Sequence, residues 1–89
     1  MKIIIGIDVG GSTTKICGFR GTELLEPLFV KAADPVASVY GGFGKFTSQN
    51  GIALTDIERV MITGVGSAYI SSEIYGLKTE HVSEFVSTG

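Results

Sequence analysis

Basic residues, cysteine and long hydrophobic runs are scarce in this sequence, and each scarcity excludes a class of protein. Seven lysines and arginines against nine acids give a net charge of −2, with no basic run to bind nucleic acid. The single cysteine, Cys17, cannot form an internal disulfide, and no Cys/His spacing indicates a metal site. The longest apolar run, residues 3–7, is too short to cross a bilayer, and no signal-peptide pattern opens the chain. We therefore expect a cytoplasmic protein with neither a nucleic-acid nor a membrane partner.

Proline is also rare, and both prolines mark positions of structural interest. Pro27 interrupts an otherwise strand-like segment, which argues for an edge strand because proline cannot donate a hydrogen bond to a neighbour. Pro35 follows Asp34, an arrangement typical of a helix start. With 89 residues, 44% of them hydrophobic and 18% charged, the chain has the composition of one globular domain at most. A domain of this size buries only roughly 60–65% of its unfolded surface, so its stability is expected to be marginal.

The most informative segment follows the apolar run directly, where an acid, two glycines and hydroxyl-bearing residues come together. Its members are Asp8, Val9, Gly10, Gly11, Ser12, Thr13, Thr14 and Lys15. The carboxylate of Asp8 can hold a hydrated Mg²⁺ ion, and glycines let backbone N–H groups approach a phosphate because no Cβ intervenes. Hydroxyl groups and a lysine add further donors. We predict that these residues form a β-hairpin that binds the phosphates of a nucleoside triphosphate.

Two widespread glycine motifs fit this chain less well than a phosphate-binding hairpin does. A P-loop places its lysine directly after the last glycine at the start of a helix, whereas Lys15 lies in a predicted strand. The dinucleotide fingerprint is absent from the hairpin. Gly64 and Gly66 directly follow a later predicted strand and match the first two glycines of that fingerprint, but Tyr69 occupies the position of its third glycine. We interpret them as a tight turn that faces the same cleft as the hairpin. An ordinary hairpin with a Gly-Gly turn is the plainer alternative.

Apolar segments separated by turn residues predict a mixed α/β fold. The five predicted strands are residues 2–8, 13–19, 23–31, 59–63 and 79–82. The first three follow one another through tight turns and form an antiparallel meander. A helix is predicted from Asp34 to Asn50, in which three glycines either weaken the helix or permit close packing on the sheet. A second short helix is predicted over residues 67–74, and a third begins near Glu84. This order indicates a ribonuclease H-like fold, with a mixed five-stranded sheet.

The hairpin resembles the first phosphate-binding hairpin of the actin-like ATPase superfamily, to which many sugar kinases belong. Two later segments, Thr-Gly-Val-Gly at residues 63–66 and His-Val-Ser-Glu-Phe at residues 81–85, make the chain similar to the N-terminal lobe of a type II pantothenate kinase. That family carries an Asp-x-Gly-Gly-Thr-x-x-Lys hairpin. The chain departs from the pattern at Ser12, where the family commonly has threonine, and at Val65, which displaces a glycine.

The resemblance implies phosphorylation of pantothenate by ATP in coenzyme A biosynthesis. The hairpin, Gly64 and Gly66 would bind ATP, Asp8 would bind Mg²⁺, and Glu84 would be the general base for the substrate hydroxyl. A plainer role for Glu84 is to complement a helix dipole. Such kinases are dimeric and hold ATP between two lobes. We therefore expect a homodimer, and we expect residues 1–89 to be one lobe of a longer kinase, inactive without the other.

Three alternatives stay open. Activator ATPases of 2-hydroxyacyl-CoA dehydratases share a similar opening hairpin and use an iron–sulfur cluster held by cysteines. Cys17, on a predicted core strand, is a poor candidate for such a ligand. Glucokinase-like sugar kinases also use Asp-x-Gly-Gly-Thr, but no sugar-binding Asn-Asp motif appears here. The third alternative is a non-catalytic lobe that serves only in assembly.

Overall fold

The computed structural model describes residues 2–10, 12–31, 34–70 and 73–82. These residues form a sheet of seven strands and one α-helix, and no helix among them is both long and apolar enough to span a membrane. The strands are β1 (Ile3–Val9), β2 (Thr13–Arg20), β3 (Glu23–Leu24), β4 (Leu28–Lys31), β5 (Ile57–Thr63), β6 (Glu73–Ile74) and β7 (Leu77–His81). The helix, α1 (Pro35–Gln49), connects β4 to β5. Single 3₁₀ turns lie at Leu54–Asp56 and Ser67–Tyr69.

The sheet is mixed, as the sequence predicts. Its strand order is β3-β2-β1-β5-β7-β6, and β4 pairs with β2 beside β3. β1 and β2 are antiparallel, whereas β5 is parallel to both β1 and β7. The ends of β1 and β5 therefore meet the start of β2 at one edge of the sheet, which we call the carboxyl edge. The predicted ribonuclease H-like α/β fold is confirmed.

The core lies between the sheet and α1. Alternate residues of β1, namely Ile3, Ile5, Ile7 and Val9, are at most 1% exposed. This alternation follows from the two-residue period of a strand, which points every second side chain to the same face. Phe43 and Phe46 of α1 are buried in the same hydrophobic cluster. Burial of a large apolar side chain stabilises a fold by roughly 1.5–3 kcal/mol, so this layer dominates the stability of the domain.

The start and end of α1 agree with the sequence prediction. The Asp34 side chain accepts a hydrogen bond from the Val36 backbone N–H at 3.0 Å, which caps the helix. The helix ends at Gln49 with Asn50 as its C-cap, and Gly51 after the cap has a φ of +63°. Of the two roles predicted for the helix glycines, Gly42 has the second, because it permits close packing of α1 on the sheet. A Cβ there would lie 2.8 Å from Ile16 Cδ1 and 2.9 Å from Val30 Cγ2.

Two departures from the five predicted strands account for the seven observed. The first is the interruption at Pro27 in a segment that lies at the sheet edge as predicted, and the second is a wrong prediction. The predicted third strand breaks into β3 and β4 around Pro27, since proline lacks the N–H that would continue the ladder. The predicted helix over residues 67–74 is a single 3₁₀ turn followed by β6. β6 and β7 form a hairpin through Tyr75 and Gly76, whose φ angles are 50° and 83°. Positive φ at both positions is the signature of a tight hairpin turn. The predicted helix near Glu84 lies outside the described residues.

An exposed ion pair joins β5 to β7. Arg59 donates from Nε to Glu80 Oε2 at 2.7 Å and from a terminal nitrogen to Oε1 at 2.8 Å. These hydrogen bonds lower the pKa of the Glu80 carboxyl below its ordinary value of 4.5. The pair therefore stabilises the fold above that pH, and its contribution is lost as the pH falls through the lower pKa of the folded state. Because both groups are exposed, the contribution is small.

We expect Glu80→Gln to lower the melting temperature slightly at neutral pH and to have no effect in strong acid, where the carboxyl is protonated. Thermal melts of both proteins across the acidic range measure this convergence. Glu58→Gln is the matched control, since Glu58 is an exposed acid near Arg59 that makes no hydrogen bond to it in the described structure. Equal effects of the two substitutions would show that general charge, and not the paired geometry, is responsible.

Candidate phosphate-binding site

The carboxyl edge brings together residues that are distant in the sequence. Asp8 lies near the end of β1 with its side chain exposed, and its register partners are Thr63 on β5 and Lys15 on β2. Gly64 follows Thr63 directly. No described residue forms an ion pair with Asp8. Its carboxylate therefore faces solvent at the point where the two central parallel strands end, which is where α/β sheets commonly bind ligands.

Gly64 is held against Asp8 in a way that only glycine allows. Its φ of +102° lies in the region that L-amino acids with a side chain rarely adopt. A Cβ at this position would lie 2.3 Å from the Val9 carbonyl oxygen and 2.7 Å from Asp8 Oδ1. The missing side chain therefore lets the Val9 carbonyl and the Asp8 carboxylate lie directly against the Gly64 backbone. The glycine turn and the hairpin thus lie together, as the sequence predicts.

The loop after Gly64 is fixed by hydrogen bonds to β1 and to itself. The Gly66 N–H donates to the Val9 carbonyl at 3.0 Å, and Ser67 Oγ donates to the Gly64 carbonyl at 2.7 Å. A Cβ on Gly66 would lie 2.6 Å from Val9 Cγ1 and 3.3 Å from Pro35 Cβ. Close packing at Gly66 therefore holds the start of α1 beside this loop.

The hairpin between β1 and β2 presents small and polar groups to solvent. The Gly10 N–H donates to the Thr13 carbonyl at 3.0 Å, and a Cβ on Gly10 would lie 2.7 Å from that same oxygen. Ser12 and Thr13 are exposed. Gly11, also expected to contact phosphate, lies outside the described residues. The described part of the hairpin therefore offers the exposed side chains of Ser12 and Thr13 to a phosphate, whereas the Gly10 N–H is already paired with Thr13.

Some residues expected to contact nucleotide have side chains that lie elsewhere. Thr14 is 2% exposed, and its Oγ1 lies 2.9 Å from Ser38 Oγ on α1. The Val9 side chain is also buried in the core. These two residues can therefore offer only backbone groups to a ligand. The Lys15 ammonium lies 5.8 Å from the centroid of the Phe29 ring, a cation–π distance. Glu84, the expected general base, lies outside the described residues.

Thr63 and the first turn of α1 are site components that sequence reasoning did not select. Thr63 is buried beside Asp8, and Pro35 packs near Gly66. A signal for Thr63 was present, since the last residue of a strand parallel to β1 must share its edge of the sheet. Nothing local in the sequence marks Pro35 as a neighbour of Gly66.

The carboxyl edge is an open surface. Two hollows of about 340 and 300 Å³ lie beside α1, and the described residues that line them include neither Asp8 nor Gly64. We place the site at the carboxyl edge nevertheless, because the carboxylate and the sterically required glycines converge there.

Comparisons with known proteins identify the fold. No protein-family model matches the chain, and no curated protein matches it. Among solved structures, the activator of the 2-hydroxyisocaproyl-CoA dehydratase from Clostridium difficile with bound ADPNP matches with a TM-score of 0.73 and 18% identity. The match covers 90% of this chain and 28% of that one. Component A of the (R)-2-hydroxyglutaryl-CoA dehydratase from Acidaminococcus fermentans matches with a TM-score of 0.75 and 17% identity, over 92% and 30% of the two chains.

These likenesses show the fold of the chain. The described residues have the ribonuclease H-like fold of an actin-like ATPase lobe, and the two similar structures are both components of 2-hydroxyacyl-CoA dehydratase systems. The chain spans less than a third of the length of either structure.

Proposed function

We propose that this chain is the ATP-binding lobe of an actin-like ATPase that activates a 2-hydroxyacyl-CoA dehydratase. The observation that carries the proposal is the match over 90% of the chain to an activator with bound ADPNP, an analogue of ATP. The exposed Asp8 carboxylate beside Gly64 supports it, because this arrangement suits a nucleotide phosphate with its metal ion. The activator function, which was an alternative at the sequence level, thereby becomes the preferred one.

The residues at the carboxyl edge fit a hydrated magnesium ion. Mg²⁺ keeps several waters and is usually held by one or two carboxylates together with substrate phosphates. Asp8 supplies such a carboxylate, and the described residues contain no group of three or more metal-ligating side chains. Asp8 would hold the ion, while the Gly64 backbone and the exposed side chains of Ser12 and Thr13 would approach the phosphates. The ion would neutralise charge as water cleaves ATP to ADP and inorganic phosphate.

The described residues do not fit an iron–sulfur cluster. Cys17 is the only cysteine in the chain, it is buried, and its thiol lies 3.6 Å from the Gly6 carbonyl, which accepts its hydrogen bond. This agrees with the expectation that Cys17 is a core residue. No step through a cluster is therefore assigned to these residues.

Pantothenate kinase is the second candidate function. It is favoured by the His-Val-Ser-Glu-Phe segment at residues 81–85, in which Glu84 would accept the proton of the pantothenate hydroxyl. One of the two similar structures is the activator of a 2-hydroxyacyl-CoA dehydratase and the other is component A of such an enzyme, and this likeness supports the activator function over the kinase. A homodimer and a cytoplasmic location stay predictions under either function.

Product analysis of the full-length gene product with Mg-ATP separates the two candidates. An activator is expected to release ADP and inorganic phosphate at the same rate with or without pantothenate, and to switch on a purified 2-hydroxyacyl-CoA dehydratase. A kinase would form phosphopantothenate in amounts equal to ADP. Phosphate release without dehydratase activation would contradict the activator function but would still support ATP hydrolysis by this protein. Absence of nucleotide binding in calorimetric titration would refute both.

A further inference from the structure

We propose that the outer edge of β4 binds an extended acidic segment of a partner protein as an added β-strand. β4 pairs with β2 along one side, and among the described residues no strand pairs with its other side. Backbone N–H and C=O groups of β4 therefore point outward, as at any sheet edge. Such groups can bind an extended peptide through main-chain hydrogen bonds.

A groove beside this edge gives the added strand a place for its side chains. The groove has a volume of about 340 Å³ and runs between β4 and α1. Leu28 and Val30 line it from the strand, and Ala37 and Gly41 line it from the helix. No atom lies within 4 Å of the position that a Cβ on Gly41 would occupy, so there is open space above the helix backbone at this point.

The added strand would be contacted on both faces. Successive side chains of a strand point to opposite faces, so every second side chain would enter the groove. The others would lie on the far face, which carries Phe29, a side chain that also borders the groove and is 64% exposed. A large aromatic side chain left this exposed on an edge strand provides apolar contact area that the described fold does not use.

The charge around the groove selects an acidic occupant. The described residues that line it include two exposed lysines, Lys31 and Lys45, and no acid. On the far face, Lys15 lies over Phe29 and adds a third positive charge. Complementary charge steers a partner to its site and suppresses wrong partners. A second copy of this chain would bring the same positive charge to the contact, which disfavours pairing of two β4 edges.

This interaction goes beyond the proposed function and does not depend on it. The strand β2 separates β4 from Asp8 on β1. Of the residues named for the two sites, only Lys15 belongs to both, whereas Gly41 and Lys45 belong to the peptide site alone. Loss of one with the other retained would show which proposal has failed.

Fluorescence anisotropy with labelled peptides of about eight residues, the length of an ordinary strand, tests the proposal on the full-length gene product. The probe alternates valine and glutamate. One control alternates valine and lysine, and another has the composition of the probe with a central proline added. We expect saturable binding of the acidic probe that weakens with salt, and at least roughly tenfold weaker binding of both controls, because they lack complementary charge or strand geometry. Equal binding of all three, or no binding of the acidic probe, would overturn the proposal.

Variants of the protein locate the binding. Gly41→Leu fills the groove at a position without neighbours, and it improves helix propensity, so the melting temperature should not fall. We expect it to weaken binding of the acidic probe by roughly tenfold or more, and Lys45→Glu to do the same by reversing charge. Lys78→Glu, the same change on the distant strand β7, should leave affinity unchanged.

Unaltered binding by Gly41→Leu would overturn the proposal. Dimerisation in sedimentation that Gly41→Leu abolishes would also overturn it, in favour of a second copy.

Discussion

Replacement of Asp8 by asparagine is expected to lower ATP turnover of the full-length gene product by roughly 100- to 1,000-fold, the size of effect seen when one group that stabilises transition-state charge is removed. Asparagine keeps the shape of the side chain but loses the negative charge that would hold Mg²⁺. Because Asp8 is exposed and makes no ion pair with a described residue, the fold should be unaffected. Turnover measured across a magnesium titration, together with a thermal melt, separates the two effects.

Asp56→Asn is the matched control for this experiment. Asp56 is also exposed, but it precedes β5 and therefore lies at the opposite edge of the sheet. We expect its turnover and its magnesium dependence to equal those of the unmodified protein. Near-normal turnover in Asp8→Asn would remove Asp8 from the proposed metal site, whichever of the two functions holds.

Gly64→Ala is expected to have the largest effect on stability. A Cβ would lie 2.3 Å from the Val9 carbonyl oxygen, and the backbone φ of +102° is itself strained for alanine. Strain at such a backbone position and overpacking each cost about 1–3 kcal/mol, so we expect a loss of about 3 kcal/mol or more. For a domain of this size that corresponds to a fall in melting temperature of about 12 °C or more. Denaturant unfolding and thermal melts measure it.

Alanine substitutions at two other glycines separate the two causes of the Gly64→Ala destabilisation, which are backbone strain and steric overlap. Gly76 has a φ of +83° but no atom within 4 Å of a potential Cβ, so Gly76→Ala tests backbone strain alone. Gly41 lies in α1 without such neighbours, so Gly41→Ala should stabilise the protein by about 0.5–1 kcal/mol through helix propensity. The expected order of stability is Gly41→Ala, then Gly76→Ala, then Gly64→Ala. A Gly64→Ala variant as stable as Gly76→Ala would show that the loop moves away from β1 without cost.

The failed prediction over residues 67–74 shows why local patterns were insufficient there. Ile70 and Ile74 are both buried and stand four residues apart, which imitates the spacing of one helix face. The hairpin that forms instead depends on Tyr75, an unusual residue for a turn position with positive φ. Its hydroxyl donates to the Tyr40 carbonyl at 3.2 Å, and the two rings lie 5.3 Å apart. A contact with α1 therefore holds a turn that the local sequence does not favour.

The sequence by itself determined the features that depend on neighbouring residues. The apolar run of β1, the Asp34-Pro35 helix start and the glycine-rich hairpin were all predictable, because strand periodicity, capping and turn chemistry act over a few residues. The sequence also predicted that the Gly64 turn faces the hairpin. Only the tertiary structure decided that the Gly64 backbone packs directly against the Asp8 carboxylate, because parallel pairing of β1 and β5 joins positions distant in the chain. It also decided that the Thr14 hydroxyl faces Ser38 and not the carboxyl edge, since the packing of α1 on β2 sets the partner of that buried group.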